Sequence, residues 1–210
     1  MTSEAGPAIE FWFEFASTYS YPAAMRIEEL ARARGVALTW RPFMLGPIFR
    51  EQGWADSPFN IYPVKGRYMW RDLERVCSGL GIGFRRPSVF PRNGLLAARV
   101  ACAFSDAEWI PRFVRNVYTA NFVEDRDIMD PGVVSECLAG LVADPAQALE
   151  LAGSGEVKAR LRANSERAQA LGIFGAPSFV VGDELFWGND RLEAALDWCG
   201  RNRAHQQVDQ

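Results

Sequence analysis

The chain's two ends constrain its fold most, because each reads as half of one small sheet. Residues 9–15 alternate: Ile9, Phe11, Phe13 and Phe15 point one way, and Glu10, Trp12 and Glu14 the other. Period two with an apolar face predicts a strand with one side on a core. Ala16-Ser17-Thr18-Tyr19-Ser20 follows as a turn, and a helix then runs to about Arg34 on a rough stripe of Met25, Ile27, Leu30 and Ala31. Ser17 or Thr18 is placed to cap that helix and Gly35 to stop it. Val36 to Phe43 reads as a second strand, bounded by Pro42. Strand, helix, strand normally closes as a parallel pair with a right-handed crossover.

The far end has a different rhythm. Ser178 to Val181 is a short apolar strand behind Ala176-Pro177, Gly182-Asp183 is a turn signal, and Glu184 to Trp187 completes a hairpin. Asp190 is placed to cap a last helix, 191–200, with Leu192, Ala195, Leu196 and Cys199 on one face. Between the ends, helical spacing runs through 64–77, 93–104, 106–122, 131–142, 145–152 and 155–171. Residues 45–63 form the longest stretch without clear periodicity, and loops of that length are often functional. A βαβ unit and a ββα unit sharing a sheet predict an α/β fold: a thioredoxin-like core, 1–45 plus 173–210, with an all-helical insertion, 46–172. No G-x-G-x-x-G follows the first strand, so a dinucleotide-binding fold is not indicated.

Counts then exclude whole chemistries. The 210 residues carry 23 basic and 26 acidic side chains, net −3, so no basic face for nucleic acid is expected. The one histidine, His205, stands in a polar tail, 202–210, that reads as frayed. A Ser-His-Asp triad, a Cys-His pair and a histidine metal site are therefore not expected, and no metal site is predicted. Any chemistry must run without imidazole. Cys77, Cys102, Cys137 and Cys199 form no C-x-x-C, which removes zinc knuckles and dithiol exchange; they read as buried small hydrophobes in a reducing compartment. Residues 1–7 lack a basic segment followed by an apolar one, and no run of about 18 apolar residues exists. The expectation is a cytoplasmic chain with no membrane partner.

Four positions could carry chemistry, and each has a plainer structural use. Ser17 lies where a strand ends and a helix begins, where unpaired N–H groups and the helix dipole can hold an anion or a thiolate; Ser is also a favoured cap almost anywhere. Pro177, if cis, would free the Ala176 backbone to pair with an extended ligand; it is otherwise an ordinary strand-entry proline. Trp187-Gly188-Asn189-Asp190-Arg191 could bind ammonium or carboxylate, or simply cap a helix. Lys65, one of two lysines beside Lys158, suits a carboxylate or phenolate, or solvent; Asn60 lies nearby.

Together these segments resemble a family. Phe13-Glu14-Phe15-Ala16-Ser17-Thr18-Tyr19-Ser20-Tyr21 is similar to the F-D-F-x-S-P-[YF]-S-[YW] opening of 2-hydroxychromene-2-carboxylate isomerases and kappa-class glutathione transferases. Phe174-Gly175-Ala176-Pro177-Ser178-Phe179 resembles their F-G-V-P-T-[FM], and residues 182–192 resemble the isomerase ending. Arg41-Pro42-Phe43-Met44-Leu45-Gly46 and Val89-Phe90-Pro91-Arg92-Asn93 fit the pattern too. The departures are Thr18 in place of Pro, Pro22 in the first helical turn, and Ala176 in place of Val.

The resemblance implies a DsbA-type thioredoxin fold with glutathione as cofactor and Ser17 as the catalytic serine that hydrogen-bonds the glutathione sulfur. It implies glutathione contacts from Ile48, Asn60, Ala176 before a cis Pro177, Gly188, Asn189 and Asp190, with Lys65 facing glutathione or an acidic substrate. The implied reaction interconverts 2-hydroxychromene-2-carboxylate and trans-o-hydroxybenzylidenepyruvate by reversible thiolate addition, in aromatic catabolism. The partner is then a small aromatic carboxylate; members of the family are often homodimers, and no interface is readable here. The other readings are a kappa-like glutathione transferase or peroxidase, and a redox-inactive thioredoxin-like binding module.

Overall fold

The computed structural model describes the backbone of residues 7–208 and the side chains of residues 7–201. Of the opening residues 1–7 weighed above as a leader, 1–6 lie outside the described residues, as does the His205 side chain. Strand β1 (Ala8–Phe13) leads through helix α1 (Ser20–Ala33) to β2 (Ala37–Pro42). Eight helices follow among the described residues: α2 (Leu45–Glu51), α3 (Pro58–Ile61), α4 (Pro63–Leu80), α5 (Leu95–Ala103), α6 (Ile110–Phe122), α7 (Pro131–Leu138), α8 (Pro145–Ala152) and α9 (Gly155–Ala170). The hairpin β3 (Ser178–Val181) and β4 (Glu184–Trp187) and a closing helix, α10 (Leu192–Val208), complete the chain.

The sheet order is β2-β1-β3-β4. Strands β1 and β2 run parallel, with Phe11 opposite Trp40; β3 is antiparallel to β1, with Phe11 opposite Phe179, and to β4. This is the thioredoxin-like arrangement predicted from the two end units, with α2 to α9 inserted between β2 and β3. Gly35, at φ +64, ends α1, and the Val36 N–H returns to the Ala31 carbonyl. Among the described residues no helix is long and apolar enough to cross a membrane.

The alternation in β1 serves two cores. Phe11, Phe13 and Phe15 join Trp40 and Phe179 in the larger cluster, with Ile27 of α1, Val100 of α5, Phe113 and Tyr118 of α6, and Leu196 of α10. The other face is not left to solvent, as the charged residues on it suggested. Trp12 is fully buried in a second cluster with Phe43, Ile48, Ala168 and Ile173, because α2 and α9 cover that side. Fully burying each such ring contributes roughly 1.5–3 kcal/mol.

Other expectations shift with cause. Residues 45–63 hold α2 and α3, helices of seven and four residues; one or two turns are too short to show a period. Helix α7 stops at Leu138 rather than near residue 142, and α10 runs on to Val208, past the expected end at residue 200. Residues 202–208 of the polar tail are therefore helical backbone. Asp190 does not cap α10: residues 189–191 form a 3-10 turn without a side-chain cap, and the Asp190 carboxylate points out beside Arg191 at 3.4 Å. All four cysteines are free and buried, matching their reading as small hydrophobes.

Candidate functional site

Past the end of β1 the chain folds back on Glu14. The Ser17 N–H donates to the Glu14 carbonyl at 3.0 Å, and the Ala16 N–H donates to Glu14 Oε2 at 3.1 Å. This turn aims the Ser17 side chain across the sheet. Ser17 Oγ donates to the Ala176 carbonyl at 2.8 Å and accepts the Ser20 N–H at 3.3 Å. The N-cap residue of α1 is Tyr19, not Ser17 or Thr18, because the turn runs two residues past the serine; Ser17 Oγ still takes the first helical N–H and bridges to the entry of β3. Thr18, the other candidate cap, is buried instead and donates to Met69 Sδ at 3.1 Å, fastening the turn to α4. The Thr18 and Tyr19 N–H groups have no protein acceptor among the described residues, and α1 adds its positive end there.

The Ala176-Pro177 bond is cis. The Ala176 carbonyl takes the Ser17 hydroxyl, while its N–H has no acceptor among the described residues. Gly188 sits at φ +110, a conformation that favours glycine, and its N–H donates to the Pro177 carbonyl at 2.9 Å. Asn189 is buried and its Oδ1 accepts from Arg26 Nη2 of α1 at 3.0 Å; Arg26 also pairs with Glu193. Helix α1 therefore positions both the serine turn and the 188–190 turn.

These pieces border one cavity of about 1060 Å³. Ser17, Lys65, Ala176, Gly188, Asn189 and Asp190 all line it. Three other residues expected at the cofactor do not. Ile48 turns into the second core, and its carbonyl accepts the Gln52 N–H. Asn60 ties α3 to its surroundings, donating to Asp56 Oδ2 at 3.0 Å and to the Phe90 carbonyl at 3.2 Å. Pro177 is buried behind Ala176. A smaller groove of about 580 Å³, between α2, α5 and α9, shares Met44 and Arg50 with the cavity and carries none of the expected residues.

The cavity wall is aromatic. Phe49 and Trp54 pack at 5.6 Å, Phe174 and Trp187 at 4.8 Å, and Phe59, Tyr68 and Phe90 complete it. The lining cations are Arg50, Lys65 and the buried Arg92, which is committed to Asn121 Oδ1 at 3.1 Å and to Asp125. Tyr19 donates to Asp72 at 2.9 Å, and burial together with that bond pushes its hydroxyl far above the usual range. Glu14 also lines the cavity, although buried; burial pushes its carboxyl up to about 7 against the opposing N–H groups of Ala16 and Ser17. Burial raises the Cys77 and Cys137 thiols to about 11, so neither is a poised nucleophile.

Chemically, this is a greasy pocket with an anion-holding corner and no thiol of its own. Sequence reading missed Glu14, assigned to the solvent face of β1, and Arg26, whose partner Asn189 is 163 residues away. The tryptophan beside Glu14's position, Trp12, was the available signal that this face is covered.

Comparison with known proteins agrees with the architecture. The DSBA-like thioredoxin domain model matches residues 8–197. A 2-hydroxychromene-2-carboxylate isomerase from Sphingobium xenophagum is 29% identical over 187 residues, covering 88% of this chain and 94% of its own length. Glutathione S-transferase kappa 2 of Caenorhabditis elegans is 28% identical over 211 residues, covering 90% of each. A solved 2-hydroxychromene-2-carboxylate isomerase superposes with a TM-score of 0.81 at 27% identity, over 96% of this chain and 98% of that one.

Proposed function

The chain belongs to the DSBA-like thioredoxin domain family, and from that premise we propose that it is a glutathione-dependent isomerase of small aromatic carboxylates, interconverting 2-hydroxychromene-2-carboxylate and trans-o-hydroxybenzylidenepyruvate. One observation carries the reading. A serine hydroxyl, not a thiol, stands at the N-terminus of α1 against the Ala176 carbonyl, in the corner of an aromatic cavity. Such a site holds a sulfur anion that it does not itself provide.

The residues present fit glutathione. The unpartnered Ala176 N–H suits the extended cysteinyl backbone, and the exposed Asp190 carboxylate suits the ammonium of the γ-glutamyl end. The Asn189 side chain, fixed from below by Arg26, supports that end. Ser17 Oγ turns from Ala176 to the sulfur, and the free Thr18 and Tyr19 N–H groups with the helix dipole favour the thiolate. When bound in this corner, glutathione would supply the thiolate nucleophile for reversible addition to the substrate, held there by Ser17 and Ala176. Lys65 and Arg50 offer their charge to the substrate carboxylate, and the aromatic wall takes the ring. Ile48 and Asn60 serve this site indirectly, as anchors of α2 and α3. Buried reduced cysteines suit a cytoplasmic setting.

The kappa-class relative favours a second reading, transfer of glutathione to an electrophile. The test offers the enzyme 2-hydroxychromene-2-carboxylate, 1-chloro-2,4-dinitrobenzene and cumene hydroperoxide in parallel, each with and without glutathione. Glutathione-dependent absorbance change with the first substrate supports the isomerase. Turnover confined to the other two supports the transferase. Failure of millimolar glutathione to bind leaves a redox-inactive binding module.

A further inference from the structure

The mechanism above leaves the proton of the thiol unassigned, and one buried group in the cavity is also unassigned. We propose that Glu14 is the proton acceptor of this site, taking the thiol proton when glutathione ionises beside Ser17 and returning it on release. The inference rests on the glutathione reading.

Its place is the first argument. Glu14 is three residues before Ser17, is only 7% exposed, and still borders the cavity. The second argument is its lack of a counter-ion: among the described residues no Lys or Arg lies within ion-pair distance of Glu14. Only N–H groups of its own turn steady the carboxylate, with Ala16 N at 3.1 Å. An unpaired buried carboxylate is costly to keep ionised, so it is ready to accept a proton. The position of its titration, pushed up to about 7 by burial, agrees with that geometry.

The neighbours exclude competitors. Tyr118 of α6 donates its hydroxyl to the Glu14 carbonyl at 2.9 Å, and burial holds that hydroxyl in its neutral form. Tyr19, beyond Ser17, is committed to Asp72, and Arg92 to Asn121 and Asp125. Arg50, Lys65, Tyr68, Asp56 and Asp190 are the other ionisable residues of the lining, and among the described residues no histidine borders the cavity. A general base works best when its affinity for protons lies near the working pH, which Glu14 satisfies.

The step balances. The cysteinyl S–H bond breaks, its electron pair stays on sulfur, and an O–H bond forms on the Glu14 carboxylate. One negative charge moves from carboxylate to sulfur, so the step adds no charge beside Ser17.

The experiment titrates glutathione into wild type and Glu14→Gln at about pH 8, where a free thiol is mostly protonated. Calorimetry in two buffers of different ionisation heat counts protons released, and thiolate absorbance near 240 nm is read on the same samples. S-methylglutathione gives the background. Wild type is expected to form thiolate while releasing close to no proton. Glu14→Gln is expected either to release about one proton per thiolate or to need a higher pH to form it. Wild type that releases a full proton per thiolate, or binds glutathione only as the thiol, overturns the inference and leaves glutathione binding intact. No binding by wild type defeats the glutathione reading instead. The glutamine keeps an oxygen for the Ala16 N–H; should the variant not fold, the wild-type proton count still decides.

Discussion

Ser17 answers two chain segments with one hydroxyl. Replacing it by alanine leaves the Ser20 N–H without its acceptor and the Ala176 carbonyl without its donor. Ser17→Ala is expected to lose about 1 kcal/mol in urea unfolding, a cost far smaller than its effect on turnover. Glu14 works in the opposite direction on stability. Burial pushes its carboxyl up to about 7 in the fold, above the usual carboxylate range of the unfolded chain. Between those values the folded chain binds more protons than the unfolded one, so stability falls as pH rises through that window. Glu14→Gln is therefore expected to unfold at higher urea than wild type at pH 8, by about 1–3 kcal/mol, with the two converging near pH 4. A gain that is the same at both pH values would contradict the burial of an ionising Glu14. Ser17 was legible in the sequence because its turn falls between a period-two run and a helical run. Glu14 was not, because alternation says which residues share a face and says nothing about what covers the other face.

At the scale of elements, the segment between β2 and α4 decides the cavity's shape. The resemblance placed Ile48 and Asn60 at the cofactor, and the folded chain uses them to seat α2 and α3. Ile48→Ala is expected to destabilise by about 2–4 kcal/mol through the void it leaves against Trp12 and Phe43. Asn60→Ala, on the surface, is expected to change glutathione affinity less than about threefold, under 1 kcal/mol by calorimetry. A tenfold loss would put Asn60 back at the ligand. The helix junction is tighter still. A Cβ on Gly66 would collide with the Phe59 carbonyl oxygen, so Gly66→Ala must shift α3 and with it an aromatic wall of the cavity. Its expected cost is about 1–3 kcal/mol in a denaturant melt, with a matching rise in KM for an aromatic substrate. None of this was visible in residues 45–63, where helices of seven and four residues are too short for a period to emerge.

For the whole molecule, topology was the legible part. A parallel pair from strand–helix–strand and a hairpin from Gly182-Asp183 are local patterns, and they sufficed to name the two end units of the sheet, though not its strand order. The meeting of the halves was not local. Ser17 and Ala176 are 159 residues apart, and Arg26 and Asn189 are 163 apart. The larger core joins Phe11 and Phe13 of the sheet to Val100, Phe113 and Tyr118 of the inserted helices. Replacing residues 46–172 by a short linker is accordingly expected to give a chain without cooperative thermal unfolding by circular dichroism. The central claim, however, is that Ser17 serves a borrowed thiolate. The most direct measurement follows the absorbance of 2-hydroxychromene-2-carboxylate with wild type and Ser17→Ala, each with and without glutathione. The account predicts turnover only in wild type with glutathione, with a fall of about 10²-fold or more in Ser17→Ala. Turnover that needs no glutathione, or that survives in Ser17→Ala, would contradict it.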